Sequence, residues 1–119
     1  MKSKFYFFSD PAHGWLRVDR DTLTELGLTQ NDFTEYSYID IHYMYLEEDH
    51  DASKFMTEWA KKMPSTSKLQ IVERVSEKKD SFVRRKYQNF RIKEVAWNYS
   101  EKNLNFFLWR NYLKIGHGK

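Results

Sequence analysis

The chain has 119 residues, enough for one domain and too few for two ordinary ones. Aromatic side chains make up 18% of it, and since each buries roughly 150–250 Å², a packed core is expected; disordered chains are poor in aromatics, which argues against disorder. Net charge is +3 and cysteine is absent, which removes disulfides, thiolate metal sites and a cysteine nucleophile.

A cysteine-free composition fits a reducing compartment. The opening run Met1–Phe8 begins like a secretory signal, but Ser9-Asp10-Pro11 interrupts it short of the ~7–15 residues of a signal core. No stretch reaches the ~20 apolar residues of a membrane span. The expectation is a cytoplasmic protein with no membrane partner.

Lys4–Phe8 predicts a first strand, closed by Ser-Asp-Pro, and Gly14–Val18 a second, alternating from Trp15. A short helix follows, with Thr22 and Glu25 at capping-box spacing, Leu23 and Leu26 facing inward and Gly27 as its stop. Tyr36–Leu46 fits either one long strand or a hairpin turning near Ile39–His42. Asp40 favours the hairpin, although no glycine is present to supply positive φ. The second helix is predicted with Asp51 as its cap and Phe55, Met56, Trp59, Ala60 and Met63 as its apolar stripe. Lys61 and Lys62 suit its C-terminal dipole, and Pro64 ends it. Thr66–Lys68 reads as loop and Leu69–Ser76 as a strand with Leu69, Ile71 and Val75 on one side; Phe55, Trp59 and Leu69 are expected in the core. Glu77–Asp80 is a charged turn, and Ser81–Phe90 a loop or edge. Ile92–Tyr99 and Leu104–Tyr112 read as a hairpin on asparagine and aromatic content, while Leu104, Phe107, Leu108 and Tyr112 also fit a helical face. The fold class expected is α+β, a small, mainly antiparallel sheet with two helices in a single domain.

Charge is unevenly distributed. Residues 1–60 hold five basic and twelve acidic side chains, net −7, and residues 61–119 hold fifteen and five, net +10. Either the two halves neutralise each other across the folded surface, or they form separate patches, the basic one attracting phosphates or acidic proteins. The acidic candidate is Glu47, Glu48, Asp49 and Asp51. The basic candidate, for a protein or nucleic-acid partner, is Lys78, Lys79, Arg84, Arg85, Lys86, Tyr87, Arg91 and Lys93. Phe82, Tyr87 and Phe90 interleave with these bases as stacking residues would, yet an edge strand with core anchors would look the same. The run lacks the signatures of the common RNA-binding modules.

Signals for chemistry are sparse. The four glycines form no phosphate loop or dinucleotide fingerprint. His42, Glu47, Glu48, Asp49, His50 and Asp51 have ligand chemistry but match no zinc or calcium spacing. His13 could serve as a general base, but no partner can be named, and a role in tying its loop to the backbone is preferred. The reading is of a non-enzyme with no cofactor and no metal.

Four blocks share an order seen elsewhere: Asp10-Pro11-Ala12-His13-Gly14-Trp15-Leu16-Arg17-Val18; Tyr36-Ser37-Tyr38; Tyr45-Leu46-Glu47-Glu48-Asp49-His50-Asp51; and Ser81–Phe90. Together they resemble a family of small bacteriophage and mobile-element proteins of no assigned activity. The resemblance covers about residues 4–90 and leaves 91–119 as an addition to the family-like core. The chain departs from the family pattern in lacking a turn glycine at Ile39–His42 and in carrying Lys86 as an extra residue. What the resemblance implies is a phage accessory protein of host takeover or defence evasion. The expected function is therefore binding, and thereby inhibiting or redirecting, a host protein in the host cytoplasm. A nucleic-acid-binding module is the alternative.

Overall fold

The computed structural model describes residues 1–76 and the backbone of residues 90–91. Five strands and two helices fall in residues 1–76: β1 (Lys4–Ser9), β2 (Gly14–Asp19), α1 (Arg20–Glu25), β3 (Tyr38–Ile39), β4 (Tyr43–Glu47), α2 (Asp51–Lys62) and β5 (Gln70–Val75). A 3-10 turn at Gln30–Asp32 lies between α1 and β3, and β6 is Phe90–Arg91. The sheet order is β5-β1-β2-β4-β3-β6. Every pairing is antiparallel except β1 with β5. The result is an α+β fold with a mainly antiparallel sheet.

The one parallel pair follows from connectivity. β4 leaves the sheet through α2, and the chain returns as β5 beyond β2 and β1. A helical crossover of this kind delivers a strand running the same way as the one it left. The β3–β4 turn is a hairpin after all, made without glycine. Asp40 Oδ1 accepts from the backbone N–H of both His42 (2.8 Å) and Tyr43 (2.7 Å), and Asp40 N–H bonds Tyr43 C=O. A side-chain carboxylate does here what a left-handed residue does in tighter hairpins.

Both helices cover one sheet face. Phe5, Leu16, Val18, Ile39, Met44 and Leu46 from the strands pack with Leu23, Leu28, Phe33, Ala52, Phe55 and Trp59. Phe5 and Phe55 meet edge to face with centroids 5.1 Å apart, and Trp59 Nε1 donates to Lys2 C=O at 2.8 Å. On α2 the buried apolar residues are Ala52, Phe55 and Trp59, with Met63 at its end half-buried; Met56 and Ala60, placed in the stripe by the sequence, are exposed. A helix over one sheet face needs only a narrow stripe, and these two residues lie just beyond its edge.

Capping also departs from expectation. Asp19, not Thr22, caps α1, its carboxylate accepting from Thr22 N–H (3.0 Å) and the Thr22 hydroxyl. Thr22 sits one turn in and is buried. Gly27 does stop the helix: its φ is +74°, its N–H bonds Thr24 C=O, and Leu28 N–H bonds Leu23 C=O, the paired bonds of a Schellman ending.

β5 is a strand as expected, but its apolar side is not core. Leu69 is half-buried against the core, while Ile71 is 37% and Val75 74% exposed. The expected hairpin within 91–119 and the loop or edge at 81–90 lie outside the described residues, apart from the β6 backbone. Among the described residues no helix is long and apolar enough to cross a membrane.

Trp59→Ala is therefore expected to cost about 3–5 kcal/mol, and Val75→Ala less than about 0.5 kcal/mol, both read by denaturant titration. A Trp59→Ala loss near that of Val75→Ala would mean that α2 does not pack as described.

Candidate functional site

Two polar blocks of the sequence, at Asp10–Gly14 and Glu47–Asp51, meet at one end of the sheet, where β1 ends, β2 begins and β4 ends. The first loop joins β1 to β2. Asp10 is buried there, and its Oδ1 accepts from the N–H of Ala12 and of His13, each at 2.9 Å. Asp10 N–H in turn bonds His13 C=O. The tie assigned to His13 is thus made by Asp10 and the backbone, because a carboxylate two and three residues upstream reaches both amides. The His13 side chain is exposed, its ring 5.9 Å from that of Trp15. A side chain at Gly14, next in the chain, would force the Phe7 ring to move, since an added Cβ would stand 2.3 Å from it.

The second loop holds the acidic run, and the fold divides it. Glu47 turns back on the helix entrance, accepting from the N–H groups of Asp49 (3.0 Å), His50 (2.6 Å) and Asp51 (3.2 Å). It satisfies amides that the first turn of α2 leaves without a helical partner. Burial raises its carboxyl pKa, but those three N–H groups and nearby His50 outweigh burial and hold it below the ordinary 4.5. Asp51 is not the cap; His50 holds that position. Asp51 is the first helical residue, is only 2% exposed, and points away from the helix end. Its carboxylate accepts from Thr34 N–H (3.0 Å), the Thr34 hydroxyl (2.8 Å) and the Ser37 hydroxyl. Ser37, fully buried, accepts Glu47 N–H at 3.0 Å. Glu48 and Asp49 are left exposed. The expected acidic patch is therefore two solvated acids flanked by two that hold structure.

The sheet face opposite the helices carries an aromatic layer that the sequence reading missed. Trp15 and Tyr45 are buried there, with Phe8, Tyr38 and Tyr43 packed against them. The Arg17 guanidinium lies 4.6 Å from the Tyr43 ring centre, 5.2 Å from Phe8 and 5.3 Å from Tyr6, within cation–π reach of all three. Trp15 Nε1 donates to Tyr36 C=O. Burial pushes the Tyr45 hydroxyl far above its ordinary pKa of 10.0, and the neighbouring Asp40 carboxylate adds to this. The available signal was the two-residue period of Tyr6/Phe8, Trp15/Arg17 and Tyr43/Tyr45. It was masked because the intervening positions of β1, β2 and β4 are apolar too.

Of the basic candidates, Lys78, Lys79, Arg84, Arg85, Lys86, Tyr87 and Lys93 lie outside the described residues. Arg91 enters through its backbone alone, which pairs with Tyr38. Among the described residues no cluster of three or more His, Asp and Glu could hold a metal ion. Comparisons with protein-family models, with curated proteins and with solved structures give no match.

Asp51→Ala leaves the Thr34 N–H and the Ser37 hydroxyl without their buried acceptor, each worth about 1–3 kcal/mol. Asp49→Ala should stay within about 0.5 kcal/mol of wild type; equal losses in thermal melts would contradict the division of the acidic run. Glu47 supplies a pH test. A carboxyl held below its unfolded pKa contributes stability that is present above the unfolded value and lost as pH falls through the folded one. Melting temperature should thus drop as pH falls below 4.5, and Glu47→Gln should lower it at neutral pH while flattening that acid decline.

Proposed function

We propose that this chain is an accessory protein of phage type that binds a host protein in the host cytoplasm and inhibits or redirects it. The observation that carries this reading is the use made of the motif carboxylates. Asp10, Glu47 and Asp51, like Asp40 outside the blocks, accept backbone N–H groups and shape the loops between strands. A carboxylate engaged in this way holds a loop; a general acid or base must present its lone pair or proton to a substrate. The described blocks behind the phage resemblance, Asp10–Val18, Tyr36–Tyr38 and Tyr45–Asp51, thus supply loop-building residues, which suits a recognition scaffold. Exposed Tyr36, Ile71 and Val75 add apolar contact groups to the described surface, and tyrosine is favoured in interfaces.

A second reading, a nucleic-acid-binding module, is favoured by the charge split. Residues 1–76 carry nine basic and thirteen acidic side chains, whereas residues 77–119 carry eleven and four. The excess of positive charge therefore lies wholly in the C-terminal segment.

Affinity purification of the full chain from bacterial lysate, with and without nuclease, separates the readings. Host-protein binding expects a protein partner that survives nuclease at about 150 mM salt, where charges more than ~8 Å apart are screened. A nucleic-acid module expects submicromolar binding of DNA or RNA at that salt. It also expects a log–log salt slope of about −3 to −5 for four to six phosphate contacts and loss of binding on Arg84→Ala with Arg85→Ala. The latter set of results would replace the first reading with the second.

A further inference from the structure

Among the described residues β5 stands at the end of the sheet order, with β1 as its strand neighbour. Its bonds to β1 fix which of its backbone groups face outward. Gln70 N–H bonds Ser3 C=O at 2.7 Å, and Ser76 N–H bonds Ser9 C=O at 2.8 Å. Alternate residues of a strand address opposite neighbours. The even residues from Gln70 to Ser76 therefore serve β1, and Ile71, Glu73 and Val75 turn their N–H and C=O groups to the edge, where Glu73 C=O takes a long 3.4 Å bond from the Arg74 guanidinium that an added strand would displace. The same three residues lie on the face that carries Phe5, since Phe5 pairs with Ile71. That face is closed over Phe5 by Phe55 but open at β5, where Ile71 and Val75 are exposed with Glu73 between them. On the other face Arg74 is exposed, its guanidinium 5.4 Å from the Tyr6 ring centre.

We propose that the β5 edge accepts an extended segment of a partner protein as an added antiparallel strand, with a basic side chain opposite Glu73, an acidic one opposite Arg74 and apolar ones opposite Ile71 and Val75. The inference rests on the host-protein reading and names the surface and the chemistry of the contact. Strand addition draws affinity from main-chain hydrogen bonds and specificity from alternate side chains, and β5 presents both. Antiparallel pairing is the more stable mode and bonds directly opposed residues. Charge disfavours a second copy in the register that opposes the two exposed apolar residues. In the antiparallel register that places Ile71 against Val75 of a second copy, Glu73 falls against Glu73 of that copy, and like charges directly opposite destabilise. A foreign segment reading apolar, acidic, basic, apolar, apolar against Val75 through Ile71 meets no such conflict.

Two synthetic peptides test this with the full chain, Thr-Val-Glu-Lys-Val-Ile-Thr and the same sequence with its Lys replaced by Glu. Backbone NMR titration is expected to shift the amides of Ile71, Glu73 and Val75, with the Lys peptide bound about two- to fivefold more tightly, the scale of one cross-strand charge pair. Glu73→Arg should reverse the preference. Glu73→Pro removes an outward N–H where an edge strand tolerates proline, and should abolish binding without altering the melting transition. No binding up to millimolar peptide, shifts centred away from β5, or one preference in both wild type and Glu73→Arg would overturn the proposal. In the lysate experiment, a host protein held equally by wild type and Glu73→Pro sinks the strand-edge contact and leaves the host-protein reading standing. Absence of any protein partner sinks that reading, while the peptide titration still decides the edge.

Discussion

The described fold hangs on one buried carboxylate. Asp51 begins α2, and its hydrogen bonds to Thr34 and Ser37 fasten the helix entrance to the segment leading into β3. From that point the helix direction places Phe55 over Phe5 and Trp59 over the backbone of Lys2, and the chain re-enters the sheet as β5 beside β1. A buried charge is costly unless its lone pairs are satisfied. Thr34 and Ser37 meet that demand, so helix start, hairpin entry and crossover are coupled through one side chain. Glu47 completes the junction by taking the amides at the helix start while its own N–H reaches Ser37.

Among the described residues the sheet is apolar on both faces yet has helices on only one. The second face is organised around Arg17, whose guanidinium is shared by Tyr6, Phe8 and Tyr43 beside buried Trp15 and Tyr45. Arginine suits such a layer because its flat cation stacks on rings and is weakly hydrated. β4 supplies both faces, with Met44 and Leu46 under the helices and Tyr43 and Tyr45 in the aromatic layer. A charge change at Arg17 would therefore disturb packing as well as electrostatics.

This division of labour bears on function. The residues that looked chemically interesting build corners: Asp10 before β2, Asp40 between β3 and β4, Glu47 and Asp51 at α2. Among the described residues the scaffold leaves an edge strand whose outward backbone groups belong to the residues, Ile71 and Val75 among them, that carry its exposed apolar side chains. Edge strands are ordinarily blunted by charge, and here Glu73 alone interrupts the apolar side of β5. One charge at the centre of a strand would discriminate among segments more than it prevents pairing, as the proposed recognition role requires.

Much of the fold was legible because local physics governs it. Alternation and turn residues placed β1, β2, β4 and β5 within a residue or two, the apolar spacing and Pro64 bounded α2, and Gly27 ended α1 through its left-handed backbone. The hairpin was legible from Asp40 even without glycine. Partner choice was not. Nothing in the order of residues tells whether Asp51 bonds its own helix or Thr34 seventeen positions upstream, whether Glu47 joins the solvated acids or turns to the amides after it, or whether Asp19 or Thr22 caps α1. The exposure of Ile71 and Val75 was equally hidden, since strand alternation shows which side chains share a face but not whether a helix extends over that face. Local propensity and side-chain period are properties of the sequence alone; which groups desolvate together depends on where the crossover sets the helix, and only the tertiary structure decided that.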